Sequence, residues 1–173
     1  MTISERVKNI NPSQTLAITA QALKMRREGK KVISFAAGEP DFNTPENIKE
    51  EAISAVKEGF THYTTTSGIT ELKEAIVEKL KKDNKIDYKT SEVIVSTGAK
   101  QCLFNAILTV CNPGDEVLLP IPCWVSYTEQ IKFAQAIPVF IPTFYRDAFK
   151  LNVQQVEEKI TPRTKLIILN SPN

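Results

Sequence analysis

Glu92-Val93-Ile94-Val95-Ser96-Thr97-Gly98-Ala99-Lys100-Gln101-Cys102-Leu103 is the stretch whose reading decides the fold. Three consecutive β-branched residues, Val93, Ile94 and Val95, suit a short strand covered on both faces. Ser96-Thr97-Gly98 then lets the backbone turn and come close to a ligand, and a helix begins. The start of a helix carries roughly half a positive charge and amide donors without an intrahelical partner, so phosphate is a natural guest. An ordinary strand-to-helix turn that needs a glycine explains the same residues. The rest of the chain has to arbitrate.

The chain has 173 residues, 42% of them apolar, enough for a real core and a fit to one α/β domain or part of a larger one. Its 22 basic and 20 acidic residues leave a net charge of +2, too balanced to argue for nucleic acid or an acidic membrane surface. Lys79, Lys81, Lys82 and Lys85 read as a solvated helix face. No run of about 18 apolar residues is present and the first residues lack an apolar secretion segment, so a soluble, cytoplasmic protein is expected. Cys102, Cys111 and Cys123 are odd in number and widely spaced, which indicates reduced thiols and neither a disulfide framework nor a metal site. Cys102, near the predicted helix start, reads as a small buried residue. His62, the sole histidine, has no partner at useful spacing and receives no catalytic role.

Taken in order, residues 1–11 read as an arm, and Pro12-Ser13 introduces a helix to about Glu28 that Gly29 ends. Val32 to Phe35 is predicted as a strand, followed by a loop punctuated by Gly38 and Pro40. Thr44 is predicted to cap the next helix, with Pro45 at its first position and Gly59 closing it. Thr61-His62-Tyr63-Thr64-Thr65-Thr66-Ser67-Gly68 is a hydroxyl-rich connection of the kind that carries function. A helix from about Glu71 to Asn84 leads to the opening stretch, whose helix reaches Val110 before a turn at Asn112-Pro113-Gly114-Asp115. Then strand and helix alternate: strand 117–119, helix 124–134, strand 137–141, helix 153–160 capped by Asn152 with Gln155 three places on, and strand 166–170. Strands separated by helix-length segments predict an α/β fold with a mainly parallel sheet and flanking helices.

In such a sheet ligands bind beyond the carboxyl ends of the strands. Three predicted ends carry notable residues: Ser96-Thr97-Gly98-Ala99-Lys100, then Pro120-Ile121-Pro122-Cys123-Trp124, then Asn170-Ser171-Pro172-Asn173. An anion cradle, the sole tryptophan and an asparagine loop on one rim fit a planar aromatic ligand that carries a phosphate. Trp124 as an ordinary core anchor fits its composition equally well. No G-x-G-x-x-G, G-x-x-x-x-G-K-[ST] or G-x-S-x-G is present, and Glu39 and Asp41 read as solvated.

Six colinear motifs extend these observations: Ala37-Gly38-Glu39-Pro40-Asp41-Phe42; Thr61-His62-Tyr63 with Gly68-Ile69-Thr70-Glu71-Leu72; Ser96-Thr97-Gly98-Ala99-Lys100-Gln101; Trp124-Val125-Ser126-Tyr127; Ile160-Thr161-Pro162-Arg163-Thr164-Lys165; and Asn170-Ser171-Pro172-Asn173. Together they resemble the fold-type I pyridoxal-phosphate aminotransferases, most closely the prokaryotic aspartate aminotransferase branch. The resemblance implies the N-terminal part of that transferase fold and pyridoxal 5'-phosphate as cofactor. Backbone amides around Gly98, Ala99 and Lys100 would hold its phosphate, and Trp124 would stack on its pyridine ring. Tyr63 would reach the phosphate of the neighbouring subunit's cofactor, which implies a homodimer with shared sites. Gly38 and Trp124 are implied on the substrate side, where a side chain at Gly38 would block the carboxylate.

The departures from the pattern are Ala99, where relatives commonly have glycine, Cys123, where they have an aromatic residue, and Asn11, where prephenate-using relatives tend to have lysine. Ala99 is expected to be tolerated if its φ is negative, and prephenate use is not expected. Family members run to about twice this length. By that register, residues 1–44 correspond to the arm, helix and substrate loop of a small domain, and 45–173 to the N-terminal portion of the large cofactor domain. The Schiff-base lysine, the aspartate that pairs with the pyridine nitrogen and the substrate-clamping arginine would lie beyond Asn173. No catalytic residue is therefore assigned within the chain, which alone is expected to be inactive. The implied reaction is transamination between an L-amino acid, aspartate by resemblance, and a 2-oxo acid. A β-lyase on the same scaffold and a non-catalytic truncated product remain alternatives.

Overall fold

The computed structural model describes residues 2–171. Its chain forms two compact units, one made of the residues up to Ala37 together with those from Leu103 onward, the other of Gly38–Cys102.

The first unit is built on a three-stranded sheet in the order β2-β1-β3. Its strands are β1 (Glu116–Ile121), β2 (Ile137–Pro142) and β3 (Thr164–Ile167), and β1 pairs in parallel with both neighbours. Helix α6 (Val125–Phe133) joins β1 to β2, and α7 (Val153–Lys159) precedes β3. This is the α/β architecture with a parallel sheet and flanking helices that the alternation predicts. The central strand is covered on both faces, so Val117, Leu118 and Leu119 are all buried, as a run without polar alternation requires. Val117 and Leu119 share one core with Ile107 of helix α5 (Gly98–Val110), with Cys111 just past its end, and with Tyr127, Ile131 and Ala134 at the α6 layer.

The amino ends of β1 and β3 are tied together by charge. The buried Glu116 carboxylate accepts from Arg163 Nε at 3.0 Å, from Arg163 Nη2, and from Thr161 Oγ1 at 2.6 Å. The N-terminal segment, with the short helix α1 (Glu5–Lys8), lies on α6: Arg6 stands over the Phe133 ring. Glu129 accepts from Asn11 N at 2.9 Å and Asn11 Nδ2 at 3.2 Å. Helix α2 (Gln14–Arg27) has Ser13 at its cap and Gly29, at φ +78°, just past its end.

The second unit contains α3 (Glu46–Lys57) and α4 (Thr70–Lys79), the latter continuing as a π-helical turn through Leu80–Asn84. Pro45, extended at ψ 143°, occupies the N-cap of α3, so helical geometry begins at Glu46 and no side chain caps it. The predicted cap at Thr44 and first position at Pro45 are thus each displaced by one residue.

Two predicted strands do not form. Val32–Phe35 and Val93–Val95 have strand composition, yet a strand exists only through a neighbour that accepts its hydrogen bonds. Ile33 and Phe35 are 84% and 94% exposed. Val93–Ser96 lies outside any regular element, and among the described residues its one backbone hydrogen bond to a distant segment is Val95 N to Ser67 O, 3.0 Å. Strand β3 ends at Ile167 rather than Asn170, although Ile168 N still donates to Leu118 O at 3.0 Å. Among the described residues, no helix is long and apolar enough to cross a membrane.

Candidate functional site

Parallel strands bring their carboxyl ends to one edge, and in the first unit that edge gathers three polar or aromatic side chains. After β1 the chain passes through Pro122 and Cys123 to Trp124, the N-cap residue of α6. Trp124 is 39% exposed. Its ring meets the Tyr127 ring edge-on, 5.3 Å between centroids at 83°, as residues three apart on one helix do. Tyr127 is buried, and its hydroxyl donates to Asn170 Oδ1 at 3.1 Å, beyond β3. Of the three predicted strand ends, those of β1 and β3 are therefore joined, whereas the Ser96–Lys100 end follows no strand and belongs to the second unit. Tyr127 is a rim residue that the sequence reading quoted only within a motif; its i+3 spacing from Trp124 was the available signal. Pro172 and Asn173 of the predicted asparagine loop lie outside the described residues.

Cys123 packs partly against the core. Burial pushes its thiol up, against an opposing hydrogen bond with Thr128, so it remains a neutral thiol. Cys111 is likewise raised by burial and then by Asp115, with Lys165 opposing.

The second group of predicted site residues belongs to the second unit. Thr97 N donates to Gln101 Oε1 at 2.7 Å, and Gly98 N turns back to Ser96 O at 2.8 Å. Gly98 has φ +79°, a conformation that costs a residue with a Cβ. These bonds set the corner from which α5 starts. With the Thr97 and Gly98 amides engaged, the candidate anion donors of the first helical turn begin at Ala99, which lies within the helix as its tolerance requires. Gln101 was not predicted as part of this corner; its place one turn into the helix lets its side chain reach back to the amide just before the helix. Cys102 is exposed rather than buried. Leu103 and Ile107 carry the inward face of α5, continued by Cys111 just past its end at the same four-residue interval, and Cys102 falls one position off it.

Tyr63 is fully exposed. A Cβ built at Gly38 meets nothing within 4 Å. Among the described residues, no cluster of three or more His, Cys, Asp and Glu side chains could hold a metal ion.

Residues 30–173 match the family model described as aminotransferase class I and II. The chain belongs to this family. It is 52% identical over 171 residues to a probable aspartate/prephenate aminotransferase of Aquifex aeolicus, covering 99% of this chain and 43% of that protein. It is 47% identical over 171 residues to an aspartate aminotransferase of a Bacillus species, strain YM-2, covering 99% and 44%. Among solved structures, the aspartate aminotransferase from Thermus thermophilus with maleate superposes with a TM-score of 0.97 at 43% identity, over 100% of this chain and 45% of that one. The chain thus spans less than half the length of these family members.

Proposed function

We propose that the complete gene product is a pyridoxal-phosphate-dependent aminotransferase that moves an amino group between an L-amino acid, aspartate first, and a 2-oxo acid in the cytoplasm. The observation that carries this reading is the corner at Gly98, a helix start at positive φ in a chain of this family. Its donor set suits a phosphate: backbone amides from Ala99 onward, the Lys100 residue beside them, and a helix of 13 residues to supply the dipole. The half-exposed Trp124 ring, fixed edge-on by Tyr127, offers a flat face to a heteroaromatic ring.

Pyridoxal phosphate, when bound, supplies the electron sink on which amino-group transfer depends. The residues of this chain bind and orient. Ala99 and Lys100 hold the phosphate end, Trp124 restricts the ring to one plane, and the Tyr127 to Asn170 bond holds the rim that backs it. Gly38 leaves room for a substrate carboxylate, consistent with the open space around it. Tyr63, unencumbered by its own chain, is assigned to the phosphate of the neighbouring subunit's cofactor in a homodimer. The Schiff-base lysine and the carboxylate clamp are assigned to residues outside 1–173. The division into 1–44 and 45–173 is proposed for the complete protein.

Trp124 is the sole tryptophan of these 173 residues, and comparison with Trp124→Phe isolates its share of the emission of the complete gene product. Titrating the complete gene product with pyridoxal phosphate should quench that emission, and aspartate with a 2-oxo acid should then exchange the amino group. Quenching without transfer, accompanied by α,β-elimination, would replace this reading with a lyase.

A further inference from the structure

The loop that carries Tyr63 ends in a closed turn. Gly68 N donates to Thr65 O at 3.0 Å, and Thr65 Oγ1 donates back to Gly68 O. This turn is fastened at two points. Val95 N donates to Ser67 O at 3.0 Å, and Lys73 Nζ, in the first turns of α4, donates to Ser67 Oγ at 3.0 Å in a partly buried position. Gly68 itself lies flat against Val95. A Cβ added at Gly68 would stand 2.7 Å from both Val95 Cβ and Val95 Cγ2, and its φ of +102° excludes other residues independently of space.

Val95 is three residues before Gly98. Among the described residues, its amide makes the sole backbone hydrogen bond from the 93–96 segment to a distant part of the chain. In place of a β-ladder, one backbone hydrogen bond and one close contact hold the lead-in to the Gly98 corner against this turn. Both are made by the end of the Tyr63 loop.

We propose that Ser67, Gly68 and Lys73 are positioning residues for the phosphate site: they clasp the Tyr63 loop to the Val93–Ser96 segment, so that one rigid element sets both. The clasp itself is geometric; its role at the phosphate rests on the function proposed above. On that reading, the element that presents Tyr63 to the neighbouring cofactor is the one that aligns the amides for the chain's own. Loss of the clasp disturbs both contacts together.

The test uses the complete gene product without cofactor, carrying Lys73→Met, Lys73→Arg, Ser67→Ala or Gly68→Ala. Hydrogen exchange is followed in residues 61–67 and 96–101. Lys73→Met and Gly68→Ala should accelerate exchange in both segments in parallel, by about fivefold or more for loss of one net hydrogen bond, while Lys73→Arg restores it. Pyridoxal-phosphate affinity should fall by about tenfold with Lys73→Met, while KM for the amino acid at saturating cofactor stays within about twofold. Faster exchange confined to residues 61–67, or unchanged cofactor affinity, overturns the proposal. Should Gly68→Ala fail to fold, Lys73→Met and Ser67→Ala decide alone. If the unsubstituted protein binds no pyridoxal phosphate, the function reading fails; parallel exchange would then still support the clasp, and loop-only exchange would still remove it.

Discussion

Replacing Gly98 separates two costs that glycine substitutions usually combine. Its φ is +79°, yet a Cβ built there meets nothing within 4 Å. The penalty for Gly98→Ala is therefore conformational and not steric. A left-handed conformation costs an L-residue roughly 1–2 kcal/mol, which multiplies local opening of the corner about 5–30-fold. Asparagine enters this conformation far more readily because its short polar side chain bonds locally, so Gly98→Asn should recover more than half of the loss. Native-state exchange of the first-turn amides of α5, without cofactor, measures the opening directly. Pyridoxal-phosphate affinity should fall in the order Gly, Asn, Ala, in step with exchange. Equal acceleration by Ala and Asn would refute the argument, because it would place the cost in the Cβ and contradict the open space around it.

Ile131 is fully buried between α6 and the sheet, so Ile131→Ala should destabilise by about 2–5 kcal/mol and Ile131→Val by about 1 kcal/mol, read as shifts in urea midpoint. A near-zero effect for alanine would mean that α6 does not depend on this core. The Glu116 carboxyl is held below the ordinary 4.5 by hydrogen bonds from Thr161 and then Arg163, with burial opposing. Because the folded pKa is the lower one, its contribution is complete above 4.5, and it is lost as pH falls from there through the folded value. Glu116→Gln should lower the urea midpoint at neutral pH and flatten its decline below 4.5; an unchanged acid profile would remove Glu116 from the account.

Local signals carried most of the helices. Gly29 ends α2 and Gly59 follows α3, each at positive φ, and such positions are legible because few other residues adopt them. Strands were legible only where the chain also supplies a neighbour. The runs at 117–119 and 137–141 pair in parallel within the unit, whereas 32–35 and 93–95, equally strand-like in composition, pair with nothing regular. The rim divides the same way: Trp124 and Tyr127 are linked by helical spacing, while the Tyr127 to Asn170 bond spans 43 positions and no local pattern announces it.

Gly68 shows why the remaining part of the site could not be read from sequence. In the sequence it is a turn glycine between a polar loop and a helix, which is true and incomplete. Its Cβ-free face is also the surface on which Val95 rests, a constraint imposed by residues 27 positions away that leaves no trace in local composition. The same fact alters the meaning of the stretch 92–103. Its three β-branched residues supply extended backbone, but extension alone does not fix position. On the proposed clasp, the location of the Gly98 corner depends on the Val95 contacts with Ser67 and Gly68, and thus on the hydroxyl-rich loop whose composition pointed to function but not to this support.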